Sequence, residues 1–242
     1  MGKKGGRNKM KRLAAPRTWD ISRKSNRFVF KPAPGPHSIS SSYPLGVVIR
    51  DLASLAGLSR ELKYMVKNGK VLVDGIERHT PRFPVGLFNV VSVPAEGADY
   101  RLVPSRKGLR LAKVPSSEAS KKLCSINTKT KIKGGHIQYG LHDGRSVLDD
   151  ALNLAPGDAV LLEVPSQKVL GNVKLAKGSL GLVLGGDRAG QIGKIAEVKE
   201  GTVSREKMVR IALPSGEAEV PSRLVFPVGA SSPIITVGVG AS

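Results

Sequence analysis

Positive charge is concentrated at the start of the chain. Residues 1–31 contain eleven lysines and arginines but one acidic residue, Asp20, so this segment has a net charge of +10. The full 242 residues have a net charge of +20, so about an eighth of the chain carries half of the excess. Self-repulsion and a scarcity of apolar side chains deprive such a segment of a core of its own. We therefore expect residues 1–31 to be disordered in the free protein.

A polyanion is the partner that this segment favours, because basic side chains release counterions when they bind phosphates. Trp19, Phe28 and Phe30 lie among the bases, and aromatic rings stack on nucleic-acid bases. A purely solubilising tail is the alternative, which these rings disfavour. The predicted contacts from this segment are Lys3, Lys4, Arg7, Lys9, Lys11, Arg12, Arg17, Trp19, Arg23, Lys24 and Arg27.

Composition places the rest of the chain among folded proteins. Hydrophobic residues make up 40% of the sequence, which is enough to bury cores. The single cysteine, Cys124, excludes a disulfide framework and any multi-cysteine metal site. No apolar run approaches the roughly 18 residues of a membrane span, and the basic start leads into no apolar segment typical of a signal peptide. We expect a soluble intracellular protein with no membrane partner.

The chain divides into four predicted parts of a β-rich α+β fold with several domains. A basic extension and linker cover residues 1–42, with a Pro/Gly/Ser-rich stretch at its end. A helix-hairpin module covers 43–96, a central β domain 97–173, and a small β-barrel 174–242. Strands are predicted at 100–103, 109–112, 126–132 and 160–164, because these runs are short, rich in branched apolar residues and bounded by turn residues.

The module at 43–96 begins with helical periodicity from Leu45, with Gly57 as the predicted stop. Ser59 is the predicted N-cap of a second helix that ends at Gly69 and packs through Leu62, Met65 and Val66. A strand, the turn Asp74-Gly75 and another strand follow. The opposite face of this helix and the residues that follow it carry five bases, which either grip an RNA backbone or form an ordinary solvated surface. They are Arg60, Lys63, Lys67, Lys70 and Arg78.

A glycine-rich segment, residues 178–195, invites comparison with nucleotide-binding loops. The phosphate-binding loop needs Gly, four residues and then Gly-Lys-Ser/Thr, but Arg188 and Ile195 occupy two of those positions. The residues instead predict strands at 180–184 and 192–198 around a turn. Gly190 indicates either a positive φ or close contact between the backbone and a partner. We expect the close partner to be RNA, with Arg188 and Lys194 as charged contacts.

Catalytic chemistry has little support in the sequence. His136 and His142 lack metal-site spacing, Cys124 lies in an apolar stretch typical of a buried side chain, and Asp149-Asp150 fits a turn. We expect no enzyme activity, no catalytic residue, no bound metal or cofactor, and no small-molecule substrate.

Two segments resemble known RNA-binding modules. The pattern Ser59-Arg60, Met65-Val66, Gly69, Val71, Val73 and Asp74-Gly75 resembles the alpha-L module, in which the helix hairpin and following loop face RNA. The segment 178–195 resembles the KOW motif, an SH3-like barrel whose loop meets RNA. The resemblance implies that the basic residues of both segments contact RNA.

The chain as a whole is similar to the small-subunit ribosomal protein four-e family of archaea and eukaryotes. The residues that carry the resemblance run in the family's order to about Val228: Lys11 to Pro16, Trp19, Gly35-Pro36-His37, the alpha-L segment, Pro84 and Gly86, Lys122-Leu123-Cys124, His142 to Arg145, Gly157-Asp158 and the KOW segment. Lys9 stands where members often have His, and the C-terminus lacks a basic extension, which favours an archaeal chain.

The resemblance implies a structural constituent of the small ribosomal subunit, located on cytoplasmic ribosomes. Its partners are then small-subunit ribosomal RNA and neighbouring ribosomal proteins. A non-ribosomal RNA-binding or transcription factor with a KOW motif is the alternative. A pseudouridine synthase, which also carries an alpha-L module, is disfavoured because only about eighty residues remain for a catalytic domain.

Overall fold

A computed structural model describes residues 9–202 and 205–238 of the chain. Three five-stranded antiparallel sheets dominate it, and helices are few and short. The β-rich α+β class predicted from the sequence is confirmed. In the described part of the chain, no helix is long and apolar enough to cross a membrane.

The described part of the N-terminal segment begins at residue 9. Its two strands, β1 (Lys9–Lys11) and β2 (Phe28–Phe30), pair antiparallel. Between them, Trp19 is only 3% exposed and stacks on Tyr43 with ring centroids 5.5 Å apart. The predicted disorder is therefore not confirmed for residues 9–31, while residues 1–8 lie outside the described residues. The segment has too few apolar side chains to form a core of its own. Those it has are nevertheless enough to complete a core that it shares with residues 43–73.

The helical part of the fold lies in sequence between the two strands of a short antiparallel sheet, β3 (Ser42–Pro44) and β6 (Pro84–Gly86). Helix α1 (Leu45–Val47) continues into a π-helical turn (Val48–Leu52), and helix α2 spans Ser59–Lys67. Leu62 and Val66 of α2 are fully buried, which confirms its predicted packing face. Gly69 ends this helix with a φ of 69°, as predicted.

Two details of these helices differ from the prediction. The first helix ends at Leu52 rather than Gly57, and Ser54 is the residue with positive φ, at 55°. Leu58 rather than Ser59 is the N-cap of α2. The Glu61 carboxylate reaches back and accepts the Gly57 N–H at 3.1 Å, so it satisfies a backbone amide just before the helix.

The first five-stranded sheet crosses the predicted boundary at 96/97. Its strand order is β5-β4-β7-β8-β9, and the β4–β5 turn has positive φ at Asp74 and Gly75, as expected of Asp-Gly. Because β7 pairs with β8 directly, the helical module and the start of the predicted central domain form one sheet. The strands are β4 (Leu72–Val73), β5 (Ile76–Glu77), β7 (Val90–Val93), β8 (Ala98–Ser105) and β9 (Gly108–Val114).

The second sheet has the order β12-β11-β10-β13-β14, after a short helix α3 (Ser116–Ala119). Strand β10 pairs with β13 along its first half and with β11 along its second half, which extends beyond β13. The strands predicted at 126–132 and 160–164 correspond to β10 and β13. The bounds are β10 (Lys121–Lys131), β11 (Ile137–Leu141), β12 (Ser146–Leu148), β13 (Ala159–Glu163) and β14 (Val169–Val173).

The third sheet has the order β18-β17-β16-β15-β19. The two strands that come first in sequence, β15 and β16, match those predicted on either side of the glycine-rich turn. The bounds are β15 (Leu180–Val183), β16 (Ile192–Lys199), β17 (Met208–Leu213), β18 (Gly216–Pro221) and β19 (Val225–Gly229).

One hydrophobic core joins all three sheets. Phe88 and Val103 come from the region of the first sheet, Leu161 from the second, and Leu182 and Phe226 from the third. Phe88 and Phe226 meet edge to face with centroids 5.0 Å apart, an arrangement favoured by the aromatic quadrupole. Because this core is shared, residues from the three sheets depend on one another for burial.

A buried ionic cluster joins the first sheet to the second. Lys122 of β10 is fully buried, and its Nζ lies 2.8 Å from Asp74 and 2.9 Å from Asp143. Arg145 lies 2.9 Å from Asp74, and Asn89 donates a hydrogen bond of 2.7 Å to the same carboxylate. Burial alone would lower the pKa of Lys122, but the two carboxylates hold it above its usual value. We call Asp74, Asn89, Lys122, Asp143 and Arg145 the ionic cluster.

The turn at Gly190 is close to the chain itself, so the expected approach to RNA is not the reason for this glycine. Gly190 has a φ of +85°, and a Cβ there would lie 2.7 Å from the Pro104 carbonyl oxygen. Both the positive φ and the close contact therefore come from the folded structure, where the turn packs against the end of β8.

Replacing Trp19 with alanine tests whether the N-terminal segment is part of the fold. Trp19→Ala should lower the free energy of unfolding by roughly 3–5 kcal/mol, because a buried indole is lost and a cavity remains. Phe28→Ala is the control, since the Phe28 side chain is 47% exposed and should cost much less. Urea denaturation measures both, and an equal small loss would contradict the packing of residues 9–31.

Gly190→Ala and Gly186→Ala separate backbone strain from steric contact. Both glycines have similar positive φ, +85° and +83°, but a Cβ at Gly186 meets no described atom within 4 Å. Gly186→Ala should cost about 1 kcal/mol from strain alone. Gly190→Ala should lower the melting temperature further, because its Cβ also clashes with Pro104. Equal melting temperatures for the two variants would exclude the contact with Pro104.

Candidate nucleic-acid interface

A groove lined by five basic residues lies where the N-terminal strands meet α2. It has a volume of about 360 Å³ and includes no acidic side chain in its lining. Phe28, Val29, Phe30 and Ser59 complete its walls. We call it the basic groove, and its cationic residues are Lys9, Lys31, Arg50, Lys63 and Arg82.

Separate elements bring these cations together. Strand β1 provides Lys9, the π-helical turn provides Arg50, and α2 provides Lys63. Lys63 is exposed beside the buried face of α2, which packs into the core through Leu62 and Val66. The groove therefore depends on the packing of the N-terminal strands beside the helix.

Hydrogen bonds hold two of the groove's arginines in place. The Arg50 guanidinium donates to Asp51 at 2.9 and 3.2 Å and to Ser59 Oγ at 3.0 Å. The Arg82 Nε donates a hydrogen bond of 2.9 Å to the Lys31 carbonyl. Asp51 offsets part of the charge of Arg50, so the other groove cations carry most of the attraction for an anion.

Aromatic rings lie beside these charges. Phe28 is 47% exposed, and the Arg27 guanidinium lies 5.4 Å from its ring centroid. The Arg50 guanidinium lies 5.6 Å from the centroid of Phe30. A cationic groove with an accessible ring combines the features that hold a phosphate backbone and stack an unpaired base.

Most of the predicted contact residues are on the surface. The exposed ones are Lys9, Lys11, Arg17, Lys24, Arg27, Arg60, Lys63, Lys67, Lys70 and Lys194. Arg23, Arg78 and Arg188 are partly buried, and Lys3, Lys4 and Arg7 lie outside the described residues. Of this predicted set, Lys9 and Lys63 line the groove.

Two predicted contacts are wrong, because the fold buries them. Trp19 is in the core and its ring stacks on Tyr43, so it is not a surface for a nucleic-acid base. Arg12 is 2% exposed, donates to the Ser22 carbonyl, and pairs with Asp51 at 3.6 Å. The sequence did not show this, because the burying partners of Trp19 and Arg12 are distant along the chain.

Two further arginines have structural contacts. Arg23 donates hydrogen bonds to the carbonyls of Ala15 at 3.0 Å and Pro16 at 2.8 Å. Arg188 donates one of 3.1 Å to the Glu217 carbonyl. These bonds orient the guanidinium groups and leave part of each group accessible.

Sequence reasoning missed three groove residues. Lys31 was counted in the basic segment but not chosen as a contact, while Arg50 and Arg82 lie outside any basic run. The one feature of the sequence that could have indicated these three residues was their position close to predicted helices and strands. The juxtaposition of Lys31 and Arg82, 51 residues apart, arises only in the folded chain.

The histidines and the cysteine make contacts inside the fold. Cys124 is fully buried, as predicted, and burial raises the pKa of its thiol. His142 accepts the Ser125 N–H at 3.1 Å and meets Phe226 edge to face. Within residues 9–202 and 205–238, no cluster of three or more His, Cys, Asp or Glu side chains is arranged to hold a metal ion.

Two groups next to the ionic cluster have shifted pKa values. Burial, together with the charge of Lys122, lowers the pKa of His142 to about 4. Burial opposes ionisation of Asp143, but Lys122 outweighs it and lowers the pKa of Asp143 to about 2. His142 is therefore neutral and Asp143 ionised in the folded protein near neutral pH.

Stability should fall as the pH drops from 6.5 to 4, because unfolded His142 binds a proton that folded His142 excludes in this range. One such group contributes a slope of up to about 1.4 kcal/mol per pH unit. Asp143 adds a loss at lower pH, as the pH falls from about 3.8 through about 2. His142→Asn should flatten the slope between pH 6.5 and 4, since an amide oxygen can still accept the Ser125 N–H.

Urea denaturation at several pH values measures this slope. His37 remains in the variant and contributes in the same direction, because burial also lowers its pKa. The slope should therefore decrease without vanishing. An unchanged slope would contradict the assignment to His142.

Comparison with known proteins shows similarity along nearly the whole chain. The profile of the ribosomal family S4e matches residues 96–169, and that of the RS4NT (NUC023) domain matches residues 4–40. The small ribosomal subunit protein eS4 of Methanococcus aeolicus is 40% identical and aligns over 98% of this chain and 100% of its own length. That of Methanocella arvoryzae is 41% identical over 94% of this chain and 97% of its own length.

A solved structure is also similar. The 30S ribosomal protein S4e of Thermoplasma acidophilum has a TM-score of 0.69 and 29% sequence identity. The match covers 79% of this chain and 96% of that one. The arrangement of sheets described above is therefore comparable to one observed in a crystal.

Proposed function

The chain belongs to the ribosomal S4e family, and from this membership we propose that it is a structural constituent of the small ribosomal subunit that binds ribosomal RNA through the basic groove. Its relatives are named as small ribosomal subunit proteins and are archaeal. The role is structural rather than catalytic, and the site of action is the cytoplasmic ribosome.

The observation that carries the proposed RNA contact is the lining of the basic groove. Five cations surround accessible aromatic surface without a carboxylate in the lining. An RNA helix displays phosphates and 2′-hydroxyls along its minor groove, and unpaired bases stack on aromatic rings. Counterion release by the groove cations supplies affinity that does not depend on RNA sequence.

The exposed face of α2 extends this contact. Arg60 and Lys67 are exposed on the same helix as Lys63, and Lys70 is exposed between the end of this helix and the tight turn at Asp74-Gly75. This arrangement supports an alpha-L type contact in which the helix face and the next turn meet the RNA backbone. Lys3, Lys4 and Arg7 precede the groove in sequence, and we assign them to further phosphates.

The third sheet supports a separate, KOW-type contact. Lys194 is exposed on β16, and Arg188 lies in the turn that precedes this strand. The Arg188 guanidinium is partly exposed and held by the Glu217 carbonyl. We assign these two cations to RNA phosphates and the remaining surfaces to neighbouring ribosomal proteins.

Charge reversal on α2 tests the RNA contact. Arg60→Glu with Lys63→Glu should weaken binding to small-subunit ribosomal RNA without unfolding the protein, because both side chains are exposed. The slope of log affinity against log salt should fall by about 1.4–1.8, at about 0.7–0.9 for each phosphate contact. Filter binding across a salt series measures both quantities.

A matched control separates local contact from total charge. Lys113→Glu with Lys168→Glu changes the net charge equally at two exposed lysines outside the proposed contact set. Equal losses in the two double variants would contradict the placement of the interface. Leu62→Asp, which puts an unpaired charge in the core, should instead unfold the module.

Sedimentation tests the proposed place of the protein. A constituent should sediment with the small subunit at about one copy per particle and should stay there through a salt wash that removes loosely bound factors. A substoichiometric amount that washes off would favour the alternative of a non-ribosomal RNA-binding factor.

A further inference from the structure

Arg78 has a charged group without a carboxylate partner in the described part of the chain. Its guanidinium carbon lies 4.2 Å from the centroid of the Phe83 ring, which fixes the plane of the group. Its Nε is buried and makes no hydrogen bond to any described residue. Such an unpartnered donor is costly, and the charge makes it more so.

Arg145 presents a second unpartnered donor. Its Nη2 and Nε are occupied by Asp74 at 2.9 Å and Asp143 at 3.4 Å. Its Nη1 is buried without a hydrogen-bond partner among the described residues. The two carboxylates therefore hold the guanidinium in place and leave one of its buried donors without a partner.

Both arginines line one cleft above the ionic cluster. The cleft has a volume of about 480 Å³, and its walls include the backbone of Gly35, Pro36 and Gly144. Three cations and two carboxylates line it, which leaves a net charge of +1. The side chains of Asp74 and Asp143 are 3% and 2% exposed, so the negative charge that lines the cleft is buried.

We propose that this cleft binds a phosphate group between Arg78 and Arg145. A phosphate has several acceptor oxygens and negative charge, which match two guanidinium donors and the excess of one positive charge. Asp74 and Asp143 are already paired with Lys122 and Arg145, so they repel the anion less than free carboxylates would. A metal ion is disfavoured because the accessible donors are cationic.

Two sources supply this chemistry: inorganic phosphate and a phosphodiester of RNA. The cleft is separate from the basic groove, since the two share no lining residue. Binding of inorganic phosphate does not depend on the proposed function, whereas the RNA assignment rests on it. The experiment therefore needs one measurement for each source.

The first measurement titrates the full-length protein with inorganic phosphate at constant ionic strength. The ¹⁵N-labelled arginine Nε–Hε signal of Arg78 should shift saturably, and the Arg78→Gln variant identifies that signal. Calorimetry should show an affinity about tenfold or more lower in Arg78→Gln, because a charge-assisted hydrogen bond is lost. Lys113→Gln, at an exposed lysine outside the cleft, should bind phosphate like the wild type.

Arg78→Lys, which keeps a cation over the Phe83 ring, identifies the wild-type signal if Arg78→Gln is unstable. A wild-type Arg78 signal that does not shift with phosphate would overturn the proposal. Equal phosphate affinities in Arg78→Gln and the wild type would also overturn it.

The second measurement identifies the source with small-subunit ribosomal RNA. If the phosphate belongs to RNA, Arg78→Gln should lower the salt slope by about 0.7–0.9, as expected for one phosphate contact. An unchanged slope with lost phosphate binding would support the site with a free anion as its occupant. Failure of the wild type to bind RNA would contradict the proposed function and leave the phosphate titration unaffected.

Discussion

Much of the structure depends on one buried ammonium group, that of Lys122 in β10. A buried charge is tolerated only when paired and hydrogen-bonded, since its transfer from water otherwise costs several kcal/mol. Asp74 and Asp143 meet this requirement from two different turns, at 2.8 and 2.9 Å. Because one turn belongs to the first sheet and the other to the second, the need to pair Lys122 determines how these sheets meet.

The same cluster organises the surface around it. Asn89 joins it to the linker, because its amide donates to Asp74 while its carbonyl accepts a hydrogen bond of 2.7 Å from His37. The linker is thereby held against the first sheet at the edge of the cleft that contains Arg78. The paired charges of the ionic cluster thus line the same cleft as Arg78, whose Nε has no hydrogen-bond partner among the described residues.

The candidate interface was predictable in part. Helical periodicity was enough to place Lys63 on the exposed face of α2, because the burial of Leu62 and Val66 follows from their spacing. The other half of the groove was not predictable, since Arg50 and Arg82 meet the N-terminal strands only through contacts between distant parts of the chain. Local pattern contains no information on which distant elements pack together.

The sequence by itself determined the excess of positive charge, the amphipathic helix α2, the tight turn at Asp74-Gly75 and several of the strands, because these depend on composition and on residues close along the chain. Only the tertiary structure decided that Trp19 belongs to a core and that the turn at Gly190 packs against Pro104. Both outcomes depend on burial against residues that are far away in sequence. The hydrophobic effect of that burial outweighs the preference of a basic, glycine-containing chain for solvent.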